Sequence, residues 1–217
     1  MPRDAGAYRF VELDASRRAA VAQVAEVAFR GNPFYERALG LDERSFAVYW
    51  EEFFQFVLRD PAATAFALEL DGKIVAAAAL SVDGFPSTTA AARFLTRLFV
   101  RLGPKCWLRY VRFGLRYQHA MERPAFEHRV EARGLWLFVE PGVHQTGLGA
   151  RLVRRSIETM RHRGMILMTG FVDASNRPLL AFYRRLGFTV VPSIEFYGME
   201  AARIEKWITP VEAPEAC

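Results

Sequence analysis

Residues 135–153 read Leu-Trp-Leu-Phe-Val-Glu-Pro-Gly-Val-His-Gln-Thr-Gly-Leu-Gly-Ala-Arg-Leu-Val. Five apolar residues make a short strand, Glu140-Pro141-Gly142 ends it, and a turn carrying Gly147 and Gly149 opens a helix. Leu148, Leu152, Val153, Ile157 and Met160 give that helix one apolar face through residue 162. A strand that hands over to a helix in so few residues must lie in a sheet that the helix covers, which limits the chain to layered α/β architectures. The turn also presents consecutive backbone N–H groups at a helix N-terminus, where the dipole favours an anion. Gly147 and Gly149 have no Cβ, so phosphate oxygens can approach the main chain, and a pyrophosphate fits best. The spacing is neither the three-glycine dinucleotide fingerprint nor a P-loop.

The rest of the chain follows the same alternation. Residues 8–13 read as a first strand, and Asp14 or Ser16 caps a helix whose face is Val21, Val24, Ala25, Ala28 and Phe29. Gly31-Asn32-Pro33 ends it, and an aromatic-rich helix follows over 45–59. Strands at 65–70 and 73–81 flank Asp71-Gly72, a two-residue hairpin signal. Two amphipathic helices, 88–102 and 106–121, break at Gly103-Pro104. A strand at 165–172, a helix at 178–186, closing strands at 188–191 and 195–201, and a tail over 209–217 complete the pass. The expected fold is α/β (α+β): one domain over 1–217, with a mixed, partly parallel twisted sheet of about seven strands flanked by helices. A helical insert over 88–121 separates strands 3 and 4.

With 217 residues, 52% of them hydrophobic, the chain can bury a sizeable core, yet no apolar run approaches the ~20 residues of a membrane helix. Residues 1–4 lack the apolar core of a signal peptide, so a cytoplasmic location and no integral membrane association are expected. Cys106 and Cys217 make neither a disulfide framework nor a metal site, and His119, His144 and His162 form no ligand cluster, so no metal is expected. The net charge of +5 is local. Arg93, Arg97, Arg101, Lys105, Arg109, Arg112 and Arg116 fall in a window free of acids between Asp83 and Glu122. That distribution argues against a protein that coats nucleic acid.

A second motif lies downstream. Residues 176–188 read Asn-Arg-Pro-Leu-Leu-Ala-Phe-Tyr-Arg-Arg-Leu-Gly-Phe. Val139-Glu140-Pro141 with His144-x-x-Gly147-x-Gly149, followed by this Asn…Tyr…Leu-Gly-Phe segment, resembles the two motifs of the GCN5-related N-acetyltransferase (GNAT) superfamily. The match departs from the usual pattern at His144, where Gln or Arg is common, and at Leu179, where a small residue is. The resemblance implies acetyl-CoA as cosubstrate. It implies that the backbone of His144, Gln145, Thr146, Gly147, Leu148, Gly149 and Ala150 holds the pyrophosphate. Leu137, Phe138 and Val139 would lie along the pantetheine arm and the thioester, Asn176 would contact that arm, and Tyr183 would protonate the departing thiolate.

The reaction so implied is direct attack of a primary amine on the thioester, with backbone donors at the oxyanion and a general base for the amine. Residues 134–139 contain no ionisable side chain, so the candidates are Glu131, His128 and Glu127, with Glu131 preferred. Arg93, Arg97, Arg101 and Lys105 recur every four residues beside an apolar face. That stripe reads as a solvated face, a cover over the acceptor cleft, a lipid contact or an RNA-facing surface, and its position favours the cover. The aromatics of the insert and of the second helix suggest a bulky or apolar small-molecule acceptor. A protein or peptide acceptor, or a non-catalytic acyl-CoA sensor, are the alternatives. The oligomeric state stays open, a homodimer included.

Overall fold

The computed structural model describes residues 8–32, 34–82, 85–121, 131–143, 146–196 and 199–209. Within them, strands β1 (Tyr8–Glu12), β2 (Ala63–Leu70), β3 (Lys73–Ser81), β4 (Glu131–Val139), β5 (Leu167–Asp173), β6 (Thr189–Phe196) and β7 (Met199–Trp207) form one sheet. Its order is β1-β2-β3-β4-β5-β7-β6. Only β4 and β5 pair in parallel; every other neighbour is antiparallel. Helices α1 (Arg18–Phe29), α2 (Glu43–Val57) and α3 (Thr88–Met121) pack on one face, and α4 (Leu148–His162) and α5 (Arg177–Arg185) on the other.

The two layers follow from the alternation along each strand. In β3, Ala76, Ala78 and Leu80 belong to the core beneath α4, while Ala77 and Ala79 belong to the core beneath α1, α2 and α3. Alanines at these central positions leave room for large partners. Phe54 and Trp50 of α2, both essentially inaccessible, fill that room. Phe54 meets Trp136 edge-on at 4.8 Å between ring centroids and Trp50 stacked at 5.5 Å, so α2 is keyed to β4 through rings. Asp71 and Gly72 both have positive φ (51° and 77°), the turn whose twist matches the β2–β3 hairpin.

Two boundaries differ from expectation. Strand β4 begins at Glu131, inside what reads as a loop. The closing hairpin is displaced: the expected strand 195–201 straddles the turn, and β7 runs Met199–Trp207. In both places charged residues hide the strand pattern because they satisfy one another. Glu131 bonds to Thr169 and approaches Arg133, and Arg203 pairs with Glu205 within β7. The insert α3 is two helical arms broken at Gly103 (φ 78°, ψ 172°), followed by Pro104. Its basic stripe is not simply solvated: Arg97 reaches Glu52 at 3.4 Å, and Arg101 reaches Glu52 at 2.6 Å and Glu51 at 2.9 Å. Glu52 is buried, so these guanidinium groups offset its desolvation and clasp α3 to α2. The expected tail lies outside the described residues apart from Thr209. Among the described residues no helix is long and apolar enough to cross a membrane.

Phe54→Ala should lower stability by about 3–5 kcal/mol, because it opens a cavity between α2 and β4. Urea unfolding followed by circular dichroism measures this, and a loss below about 1 kcal/mol would show that the ring keying does not hold the two elements together.

Candidate active site

The parallel pairing of β4 with β5 covers only Glu131↔Leu167, Ala132↔Met168 and Arg133↔Thr169. Beyond that the strands part. The cause lies on the other side of β4, where Trp136 pairs with Ala79 but Gly134 with Leu80, leaving Leu135 as the extra residue of a β-bulge. A bulge bends the strand that carries it and increases its twist, which swings the second half of β4 away from β5. Gly134 sits at the vertex, where an added Cβ would lie 3.3 Å from the Thr169 carbonyl oxygen. The Glu140 N–H donates to the Val75 carbonyl at 2.8 Å, so by strand alternation the Leu137 amide and carbonyl point into the gap. The sheet therefore contains an internal backbone edge able to take up an extended, amide-bearing ligand.

At the far end of β4 the chain enters α4 through Gly147, which adopts φ 81°, ψ 3° and supplies no side-chain cap. The Thr146 hydroxyl donates to the Val143 carbonyl at 2.7 Å and tightens the turn. The first-turn amides of a 15-residue helix thus follow directly on the turn that leaves β4. Gly149 packs against Phe182 and Val139, tying this turn to both α5 and β4. His144 and Gln145 lie outside the described residues.

Asn176 caps α5: its side-chain oxygen accepts from the Leu179 N–H at 3.1 Å, which leaves the amide nitrogen directed elsewhere. Two turns further on, Tyr183 is buried against Phe182 and Phe188, both edge-on, with centroids 5.1 and 5.2 Å away. Burial pushes its phenol well above the ordinary tyrosine range, so the hydroxyl keeps its proton at neutral pH and acts as a donor. Glu131 is not a loop residue. It lies inside β4, 6% exposed, accepts from the Thr169 hydroxyl at 2.6 Å, and stands 3.7 Å from the Arg133 guanidinium. Its carboxylate is not part of the cavity wall described next.

A cavity of about 780 Å³ passes through the sheet by way of the gap. On the α4/α5 side its wall includes Val153, Ser156, Met168, Leu179 and Tyr183; on the opposite side it includes Phe29, Tyr35, Tyr49, Phe53, Tyr110 and Phe113. Leu137, Trp136 and Thr169 line the passage between them. The structure therefore gathers Leu137, Asn176 and Tyr183 around one space, with Glu131 behind its wall, while the Gly147 turn is not among the residues that line it. Sequence reasoning missed Thr169. The available signal was a hydroxyl residue inside the apolar run Leu167-Met168-Thr169-Gly170-Phe171-Val172. It also missed Arg133 on the wall, which reads as a loop charge before β4 is known to start at Glu131.

The model of the acetyltransferase (GNAT) family matches residues 22–188. A 60-residue segment is 38% identical to the mycothiol acetyltransferase of Thermobifida fusca, covering 28% of this chain and only 19% of that relative. The ribosomal-protein-S18-alanine N-acetyltransferase of Escherichia coli superposes with a TM-score of 0.55 at 18% identity, over 97% of this chain and 99% of that one. The yncA protein of Salmonella typhimurium, solved with its cofactor acetyl-CoA, superposes with a TM-score of 0.57 at 16% identity, over 97% and 99%. Identities this low speak for a common fold.

The two glycines of the turn should respond differently to one added methyl. Gly147→Ala forces a side chain into left-handed backbone and should cost about 1 kcal/mol although the space around it is open. Gly149→Ala would make ordinary contacts at 3.5–3.7 Å and should leave stability unchanged or raise it by up to about 1 kcal/mol. Thermal unfolding of the two variants side by side decides this, and equal effects would contradict the backbone assignment.

Proposed function

The chain belongs to the acetyltransferase (GNAT) family, and from that premise we propose that it transfers the acetyl group of acetyl-CoA to a primary amine on a small molecule. The observation that carries this is the cavity that crosses the sheet through the β4–β5 gap. A thioester drawn into the gap from the α4/α5 side would expose its carbonyl carbon to an acceptor waiting on the α1–α3 side.

The residues take the following parts. The backbone from Thr146 to Ala150, at the start of α4, holds the pyrophosphate together with that of His144 and Gln145, which precede it in sequence and lie outside the described residues. The main chain of Leu137, Phe138 and Val139 runs beside the pantetheine arm, with the Leu137 amide aimed into the gap, and the Asn176 amide nitrogen contacts the arm from α5. Tyr183, kept protonated by burial, donates its proton to the thiolate as the carbon–sulfur bond breaks. Glu131 receives the proton that the amine gives up. No metal has a part in this scheme. The acceptor half of the cavity is lined by the rings of Phe29, Tyr49, Phe53, Tyr110 and Phe113 from α1, α2 and α3, an aromatic wall that suits an apolar small molecule better than a protein terminus. This reading places the reaction in the cytoplasm, without nucleic acid or membrane as a partner.

Acetyl-CoA should raise the melting temperature of the protein, since a ligand that binds only the folded chain stabilises it. A free-thiol assay across a panel of primary amines should then reveal turnover. Tyr183→Phe should retain the acetyl-CoA shift and lose about 10²-fold or more in kcat. Stabilisation by acetyl-CoA with no thiol release from any amine would remove the enzyme reading, and full activity in Tyr183→Phe would remove the general-acid role.

A further inference from the structure

The carboxylate assigned above as the proton acceptor does not reach the cavity, so something must connect the two. We propose that the Thr169 hydroxyl is that connection: it takes the proton from the attacking amine and passes its own to Glu131. This deepens the acetyl-transfer reading and rests on it.

Three observations converge on Thr169. It forms the last parallel pair of β4 and β5, so it stands at the vertex where the gap opens. It belongs to the cavity wall while its hydroxyl donates to Glu131 at 2.6 Å, in an environment where both residues are buried. Its neighbours Met168 and Val172 pack in the core beneath α4, so by alternation Thr169 faces the α1–α3 side, from which the acceptor approaches. Tyr183, in contrast, belongs to the core on the α4/α5 side. The two proton-handling groups thus flank the gap from opposite faces, one beside the entering nitrogen and one beside the departing sulfur.

The step balances as follows. The neutral amine attacks the carbonyl carbon and the C–N bond forms. One N–H proton goes to Thr169 Oγ1, while the hydrogen already on that oxygen moves to Glu131. The C–S bond breaks, and the thiolate takes the proton of Tyr183. Tyr183 then regains a proton from water and Glu131 loses one, so the enzyme returns to its starting state. Glu131 keeps its place through the Arg133 guanidinium. Among the described residues, Arg203 and Glu205 of β7 pair with each other, with Glu205 in register opposite Thr169, and Asp173 and Glu200 stand further along the cavity wall.

The test uses an amine that the wild-type enzyme acetylates. Thr169→Val, nearly the same shape without the hydroxyl, should lower kcat about 10²-fold with KM for acetyl-CoA and its thermal shift little changed. Thr169→Ser should restore kcat to within about 3-fold of wild type, which a role in packing alone does not require. Glu131→Gln should lose as much as Thr169→Val, and the double variant no more than either, as expected of groups acting as a unit. If Thr169→Val keeps kcat within about 3-fold, or if the two losses multiply in the double variant, the relay is wrong. Those results would leave acetyl transfer itself standing, because that reading fails only if wild-type protein releases no thiol with any amine.

Discussion

Everything that makes this sheet more than a scaffold depends on hydrogen bonds that β4 and β5 do not make. After three paired residues the strands separate, and the separation is built in from β3, where one extra residue at Leu135 bends β4. An interior strand normally has both edges satisfied, and an exposed interior edge is costly unless something fills it. In the proposed function the pantetheine arm takes that place. The bulge also explains why Gly134 stands where it does: the last close approach of the two backbones, 3.3 Å from where a Cβ would sit to the Thr169 carbonyl oxygen, leaves little room for a side chain.

A gap of this kind must be held open against collapse, and the packing on the α1–α3 face shows how. β3 offers alanines, so the rings of α2 can seat directly on the sheet, and Phe54 meets Trp136 immediately beyond the bulge. The bent half of β4 thus keeps its pairing with β3 and, where it has none with β5, is supported from the α2 side by an edge-on aromatic contact. The insert is tied into the same assembly. Phe94 of α3 stacks on Phe56 of α2 at 4.6 Å, and Arg97 and Arg101 close on Glu52 and Glu51. The cationic stripe that stands out in the sequence is to this extent an internal fastening, which weakens any reading of it as a lipid or RNA surface.

How much of this could be read without coordinates depended on whether a residue's role is local. The Asp71-Gly72 turn, the break at Gly103 and the strand–turn–helix around Gly147 are dictated by backbone chemistry within a few residues, and each is written in the sequence. The charged segments were opaque for the opposite reason. Glu131 and Arg133 look like solvated loop positions, and Arg203 and Glu205 fall past the expected last strand, until their pairing is known, and so the start of β4 and most of β7 were misplaced. The bulge is opaque too, since its register is set by pairing with β3 and not by residue type. Family resemblance marked Asn176 and Tyr183 as candidates and did not mark Thr169, because its place on the same cavity wall comes from a vertex that only the topology creates.

That vertex also bears on why the two proton-handling groups differ in kind. In the proposed scheme the leaving sulfur, on the α4/α5 side, needs a donor that still holds its proton at neutral pH, and a tyrosine buried among Phe182 and Phe188 meets that need. On the other side, a carboxylate set directly in an apolar chamber would be strongly desolvated, which would raise the cost of its charge before any substrate arrived. In that scheme Glu131, buried as well, has Thr169 and Arg133 as polar partners that offset the cost of burying its carboxylate, while a neutral hydroxyl faces the acceptor. The proposed relay is therefore what this cavity would require of a base. It reaches Glu131 through the wall without exposing that carboxylate among the rings: among the described residues Thr169 both lines the wall and donates to it, with Arg133, also on the wall, beside it.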